Sequence, residues 1–225
     1  MKIKVFDKMT QGSEEWFKAR CGVITASEMK NIITPKYKIA NNAKTKTHAF
    51  EMAAQRITNY VEPSYINDDM LRGCADEVIA RNLYNDNFAE VKEVGFIVNS
   101  EHGFDLGYSP DGLVGEEGLI EIKSRLQKYQ IQTIANWEVP SDHDIQIHTA
   151  MLVSGRKWID YIQYSGGLPM AVIRVEEDQE KQGIILEAVK LFNKDVENII
   201  NNFHENIKSH KTILTERTIE EEITL

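Results

Sequence analysis

Long apolar runs are missing from this 225-residue sequence. None approaches the roughly eighteen residues of a membrane-spanning helix, and no basic-plus-apolar leader opens it. A soluble, unexported, cytoplasmic protein is therefore expected. Cysteine is nearly absent as well: Cys21 and Cys74 have no metal-ligand spacing and no partner set, and are read as reduced thiols. No glycine-rich nucleotide loop, internal repeat or low-complexity tract is present. His143 and His148 stand five apart, missing the four-residue helical step of a zinc pair. An excess of basic residues is lacking too, since the net charge is −9, which taken as a sum argues against a polyanion-binding chain. Nothing resembles a linker, so residues 1–225 are read as one well-cored domain.

What the sequence does have is Tyr108-Ser109-Pro110-Asp111-Gly112, followed by Glu121-Ile122-Lys123, with nine residues between Asp111 and Glu121. Residues 104–114 read as a strand bent at its end by Pro110 and Gly112, and residues 115–118 as a hairpin turn. In the next strand Glu121 and Lys123 share one face while Ile120 and Ile122 point the other way. The hairpin would bring Asp111 beside Glu121. Two carboxylates and a lysine so placed form the layout of a magnesium nuclease. Magnesium prefers oxygen ligands and keeps several waters, so Asp111, Glu121 and the Ile122 backbone carbonyl suffice with a substrate phosphate. Lys123 can orient or help deprotonate the attacking water and offset transition-state charge. Alone, the pattern is equally that of a solvated hairpin with a surface Glu and Lys.

Other segments decide between the two. Gln11-Gly12, Trp16, Arg20, Gly22 and Thr25-Ala26-Ser27-Glu28 closely resemble the opening motif of the lambda exonuclease family, the YqaJ-type viral recombinases of the PD-(D/E)xK nuclease superfamily. With the two motifs above and Gln146-Ile147-His148, the resemblance runs from residue 11 to about residue 155. It implies that Asp111 and Glu121 are metal ligands, Lys123 the catalytic lysine, Glu77 a helical acidic residue able to serve a second metal, and Gln146 a glutamine that positions water or metal ligands. It also implies that Arg20 holds a 5'-terminal phosphate, with Ser27 and Ser109 as phosphate contacts; a guanidinium fork suits that task better than lysine. Arg72 stands where the nearer relatives carry tryptophan, so no strand-separating side chain is assigned. The residues that grip duplex DNA are likewise not placed by a motif.

The residues also have plainer readings. Thr25 to Glu28 form a capping box, so Glu28 serves the helix terminus. Arg20 ends a short helix capped at Ser13 and, without the resemblance, would be a surface arginine. On a helix over residues 69–84, Leu71, Ala75, Val78, Ile79 and Asn82 share one side and Glu77 projects away from them, either into solvent or into a cleft. Gln146 flanks Ile145, Thr149 and Leu152 on a helix between Pro140 and Gly155. Residues 35–47 read as a polar loop that orders on DNA, with helix resuming over residues 48–60. Further strands are expected over 94–99, 119–123, 158–164 and 170–175. An apolar stripe from Ile185 through Phe192 and Ile199 to Ile207 marks a long helix of about residues 180–208, facing the sheet. An acidic tail spans 211–225. Lys30, Lys36, Lys38, Lys44, Lys46 and Arg56 make residues 30–56 basic, with Lys123, Arg125 and Lys128 around the candidate strand, while acid gathers at 176–180 and 220–222. That polarity fits DNA binding better than the sum does.

The expected fold is therefore α/β, a restriction-endonuclease-like core with a central mixed sheet flanked by helices. The resemblance implies a magnesium-dependent 5' to 3' exonuclease acting on one strand of linear double-stranded DNA from 5'-phosphorylated ends, leaving 3' overhangs for phage-type annealing recombination. Two Mg2+ ions, with Mn2+ as substitute, a homotrimeric ring, a phage single-strand annealing protein and a phage or prophage origin in a bacterial host belong to the same implication. The alternatives are a structure-specific endonuclease, a 3' to 5' exonuclease, or a non-catalytic DNA-end-binding scaffold.

Overall fold

The computed structural model describes residues 3–63 and 68–217. Two mixed sheets are flanked by helices. The first has the order β1-β4-β5-β2 and the second β3-β6-β7-β8-β9. The strands are β1 (Ile3–Phe6), β2 (Ile24–Thr25), β3 (Val91–Lys92), β4 (Phe96–Asn99), β5 (Leu106–Tyr108), β6 (Gly112–Val114), β7 (Gly118–Ser124), β8 (Trp158–Tyr164) and β9 (Ala171–Glu176). The helices are α1 (Glu14–Arg20), α2 (Ala43–Thr58), α3 (Asp68–Asn87), α4 (Gln127–Asn136), α5 (Ser141–Ser154) and α6 (Gln179–Ser209). A 3-10 helix covers Ala26–Asn31. No helix of the described residues is long and apolar enough to cross a membrane.

The single central sheet expected from the sequence is thus two. The strand read over residues 104–114 breaks at Ser109-Pro110-Asp111, because proline donates no ladder hydrogen bond. Its first half, β5, pairs with β4 and β2 in one sheet, while its second half, β6, pairs with β7 in the other. Gly112 is needed just past the break: a Cβ there would lie 2.2 Å from Val91 Cγ1. β6 and β7 form the anticipated antiparallel hairpin, and β7 runs parallel to β8 with Glu121 opposite Tyr161 and Lys123 opposite Gln163.

Helix α5 lies within the larger core. Its Ile145, Ile147, Ala150, Met151 and Val153 join Leu106 and Tyr108 of one sheet and Leu119, Ile159 and Tyr161 of the other. A smaller core on the opposite face of the second sheet gathers Ile120, Ile122 and Ile162 under Ala80 and Tyr84 of α3. Helix α6 appears where its stripe placed it, but it packs on α2 and α5 rather than on the sheet. Ile185, Val189, Phe192 and Val196 are buried; farther along, Phe203 and Ile207 lie open. Helix α2 starts at Ala43, five residues before the expected position, because the Asn42 side chain accepts from Thr45 N at 3.1 Å and caps it.

Helix α3 decides between the two readings of Glu77. Its apolar stripe faces outward: Leu71 is 59% exposed, Val78 52% and Ile79 47%. The residues turned toward the protein include Asp76, Glu77 and Arg81 along with Ala80 and Tyr84. Asp76 accepts from the Ser124 hydroxyl at 2.6 Å, and the Tyr84 hydroxyl donates to Asp160 at 2.6 Å. The helix is therefore held to the sheet by polar contacts around a small apolar centre.

Candidate active site

The hairpin does what its alternation requires. The Ile122 backbone N–H donates to Asp111 Oδ2 at 2.6 Å, tying the residue before β6 to the middle of β7. Lys123 Nζ lies 2.6 Å from Glu121 Oε1. Glu121 is buried and held from two further directions, by the Tyr108 hydroxyl at 2.8 Å and by the Gln146 side-chain amide. Asp111, Glu121, Lys123 and Gln146 are thus brought together from the 109–111 break, β7 and α5. Ile122 turns its side chain into the smaller core.

Glu77 enters from α3. Its carboxylate pairs with Arg81 one turn on, and Arg81 Nε donates to the Asp111 carbonyl at 2.7 Å. Glu77 therefore sits at the rim of the cluster, within electrostatic reach of Glu121, Lys123 and Glu93. Burial pushes its pKa up against the pull of Arg81. Asp111 is driven well above the usual carboxylate range by burial and by the neighbouring Glu121 and Glu77. For Lys123 burial works against the charge, yet Glu121, Asp111 and Glu77 together hold the ammonium above its ordinary value. Tyr108 is raised well above the ordinary phenol value by burial and by the same carboxylates, so it stays a hydrogen-bond donor to Glu121.

Crowded carboxylates in a poorly solvated site are a donor set suited to a hard divalent cation. Among the described residues no three His, Cys, Asp or Glu side chains converge into a cage of their own.

Next to the carboxylates lies a second polar cluster. Arg20, at the end of α1, donates to Ser109 Oγ at 3.0 Å and to Thr25 Oγ1 at 3.4 Å. Trp16 Nε1 also donates to Ser109 Oγ, at 2.9 Å, and its ring lies under the guanidinium at 4.2 Å. Burial pulls the Arg20 pKa down, against the field of Glu28, which raises it. Ser27 Oγ is 3.3 Å from Thr25 Oγ1 and is exposed. Glu28 accepts from Thr25 N at 2.9 Å and from its hydroxyl at 2.6 Å, the helix-end role its position indicated. Arg20, Ser27 and Ser109 therefore belong to one constellation, and Ser109 is two residues from Asp111.

Three supporting residues were not singled out from the sequence. Tyr108 opens the motif itself, but its bond to Glu121 crosses between the two sheets. Arg81 lies four residues after Glu77, the spacing of a helical ion pair, which was the available signal. Gln11 Nε2 donates to the Pro110 carbonyl at 3.0 Å and steadies the break; only its place in the opening motif marked it.

Comparison with known proteins follows the same lines. The family model for the YqaJ-like viral recombinase domain matches residues 15–157, well over half of the chain. An alkaline exonuclease from Laribacter hongkongensis is similar in structure, with a TM-score of 0.78 and 32% identity over 88% of this chain and 99% of that one. The structure of that enzyme in complex with dAMP matches equally well. A phage-related exonuclease from Haemophilus somnus shares the fold, at TM-score 0.57 and 16% identity over 80% of this chain and 96% of that one. No curated protein matches significantly. With the carboxylate–lysine hairpin set inside this fold, the chain belongs to the YqaJ-like viral recombinase domain family and shares the nuclease fold of an alkaline exonuclease.

Proposed function

We propose that this DNA exonuclease is a magnesium-dependent 5' to 3' enzyme that digests one strand of linear duplex DNA from 5'-phosphorylated ends and leaves 3' overhangs. The observation that carries the polarity is the Arg20–Ser109–Thr25 cluster, fixed two residues from Asp111. A guanidinium held by neutral hydroxyls, with Glu28 engaged at Thr25, keeps donors for a terminal phosphate dianion. With the end phosphate there, the next phosphodiester falls near Asp111 and Glu121, and one nucleotide is released per cut.

Asp111 and Glu121 would hold the ion, with the Ile122 carbonyl as a third oxygen and Glu77 at the rim for a second ion; Mn2+ would fill the same set. When bound, the ion polarises the phosphate and lowers the pKa of its water. Lys123, as an ammonium, faces the non-bridging oxygens and offsets the charge that develops on the phosphorane-like transition state. Gln146 fixes Glu121, and Tyr108 holds it from the other side. The assembly in this reading is a homotrimeric ring threaded by the duplex, supplying 3' overhangs to a phage single-strand annealing protein.

The test is digestion of linear duplex carrying separate 5' and 3' labels, with matched 5'-phosphate and 5'-hydroxyl ends, in magnesium. Early release of the 5' label as mononucleotide, faster from phosphorylated ends, is the expected result. Early 3' release or internal cuts would overturn the polarity, and end binding without cutting would overturn the catalytic reading.

A further inference from the structure

On the α5 side of Lys123 the molecule has a cleft of about 460 Å³. Ser27, Lys30, Lys44, Asp142 and His143 line it together with Lys123 itself. Lys30 belongs to the 3-10 helix and Lys44 to the first turn of α2, so two separate segments bring an ammonium to one opening. Lys30 and Lys44 are exposed, and among the described residues neither has an ion-pair partner. Lys123 is already paired with Glu121, and the one carboxylate that lines the cleft opposite Lys30 and Lys44 is that of the exposed Asp142.

His143 gives this cleft a built wall. It stands one helical turn before Gln146, and its ring stacks on Tyr161 with centroids 5.6 Å apart. Its Nε2 is buried and has no hydrogen-bond partner. Burial, with Lys123, Arg125 and Lys30 nearby, pulls its pKa down to about 3, so the imidazole stays uncharged. A buried, unpaired ring nitrogen is costly to leave unsatisfied. Three cations and a neutral ring nitrogen around one opening are the complement of an anion with several acceptor oxygens.

We infer that this cleft holds a backbone phosphate of the digested strand, gripped by Lys30 and Lys44 and hydrogen-bonded by His143. The inference rests on the nuclease reading above and adds to it two lysines and an imidazole that hold the strand beside Lys123. None of these contacts involves a base, so the grip is blind to sequence. It keeps the strand in line with the carboxylates as each nucleotide leaves.

The experiment measures affinity for a 5'-phosphorylated duplex across a salt series in EDTA, where nothing is cut. Replacing both lysines, Lys30→Ala with Lys44→Ala, lowers the slope of log K against log salt by about 0.7 to 0.9, the counter-ion release of one phosphate. Lys190→Ala with Lys194→Ala, which removes the same charge from α6, leaves the slope unchanged. His143→Phe keeps the ring against Tyr161 but removes both nitrogens. It weakens binding about tenfold at constant slope, because an uncharged donor releases no counter-ion. A cleft double variant with the wild-type slope, or with no more change than the α6 control, overturns the assignment; wild-type affinity in a folded His143→Phe variant removes the imidazole from it. Cleavage by the unaltered protein in magnesium is measured alongside. Its failure would sink the nuclease reading, whereas cutting with an unaltered slope in the cleft variant would sink only the cleft's grip on the strand.

Discussion

Lys123→Ala perturbs two things at once, and the structure separates them. Lys123 Nζ is 2.6 Å from Glu121 Oε1, and Glu121 is 2% exposed. Removing one partner of a buried pair leaves the other charged and poorly solvated, a loss of about 3–5 kcal/mol. Here Tyr108 and Gln146 still donate to Glu121, which places the loss at the low end, about 3 kcal/mol. For a chain of this length that lowers the melting temperature by about 6–12 °C. Cleavage falls by about 10² to 10⁴, the contribution of a positioned charge or proton-transfer group. The double variant Glu121→Gln with Lys123→Met carries no stranded charge, so it recovers most of the stability and stays inactive. Thermal melts in EDTA and single-turnover digestion in magnesium read the two effects independently. A double variant as unstable as Lys123→Ala would refute the stranded-charge argument, and near-normal turnover by Lys123→Ala would refute its role in cutting. The pH dependence has a definite sign. The folded Lys123 lies above the ordinary lysine value of 10.5, so its contribution is complete below that value and is lost as pH climbs through the folded one.

Asp111→Asn is expected to abolish cutting while leaving the metal-free protein at least as stable, because burial, Glu121 and Glu77 all oppose charge at this position and the amide oxygen still accepts from Ile122 N. Magnesium at about a hundred times its Kd stabilises the unaltered protein by about 2.7 kcal/mol; equal stabilisation of the variant in a thermal melt would remove Asp111 from the metal site. Arg20→Lys keeps the charge but loses the fork, so the preference for 5'-phosphate over 5'-hydroxyl ends narrows by about tenfold or more; an unchanged ratio of rates would move end recognition elsewhere. Asp144 is half-buried, which raises its pKa, but hydrogen bonds from His148, Lys181 and Tyr37 win and hold it well below the usual carboxylate range. That stability is present above the unfolded carboxylate value and lost as pH falls through the folded one. Asp144→Asn should therefore flatten the acid limb of the stability profile, and a limb of unchanged steepness would refute the assignment.

What was legible in the sequence was what neighbouring residues dictate. The β6–β7 hairpin followed from alternation and from the turn at Gly115 and Gly118. The start of α1 followed from the Ser13 cap, and α6 from apolar residues recurring at steps of three and four. The division of residues 104–114 between two sheets was not legible, because a proline shows that a ladder is interrupted but not where the chain pairs next. Tyr108, Arg81 and Gln11 escaped notice for a related reason: their bonds to Glu121, Asp111 and Pro110 span 13, 30 and 99 residues. Helix α3 makes the point most clearly. Periodicity established that Leu71, Val78 and Ile79 share a face opposite Glu77, but a helical phase does not say which face is inward. Hydrophobicity alone would have buried the apolar side. The inward side is instead the one whose groups have partners in the site: Glu77 against Arg81, Arg81 against the Asp111 carbonyl, and Asp76 against Ser124. An unpaired ion or hydroxyl buried there would cost more than leaving a few aliphatic side chains in water. The carboxylate–lysine cluster thus sets the orientation of the helix that completes it.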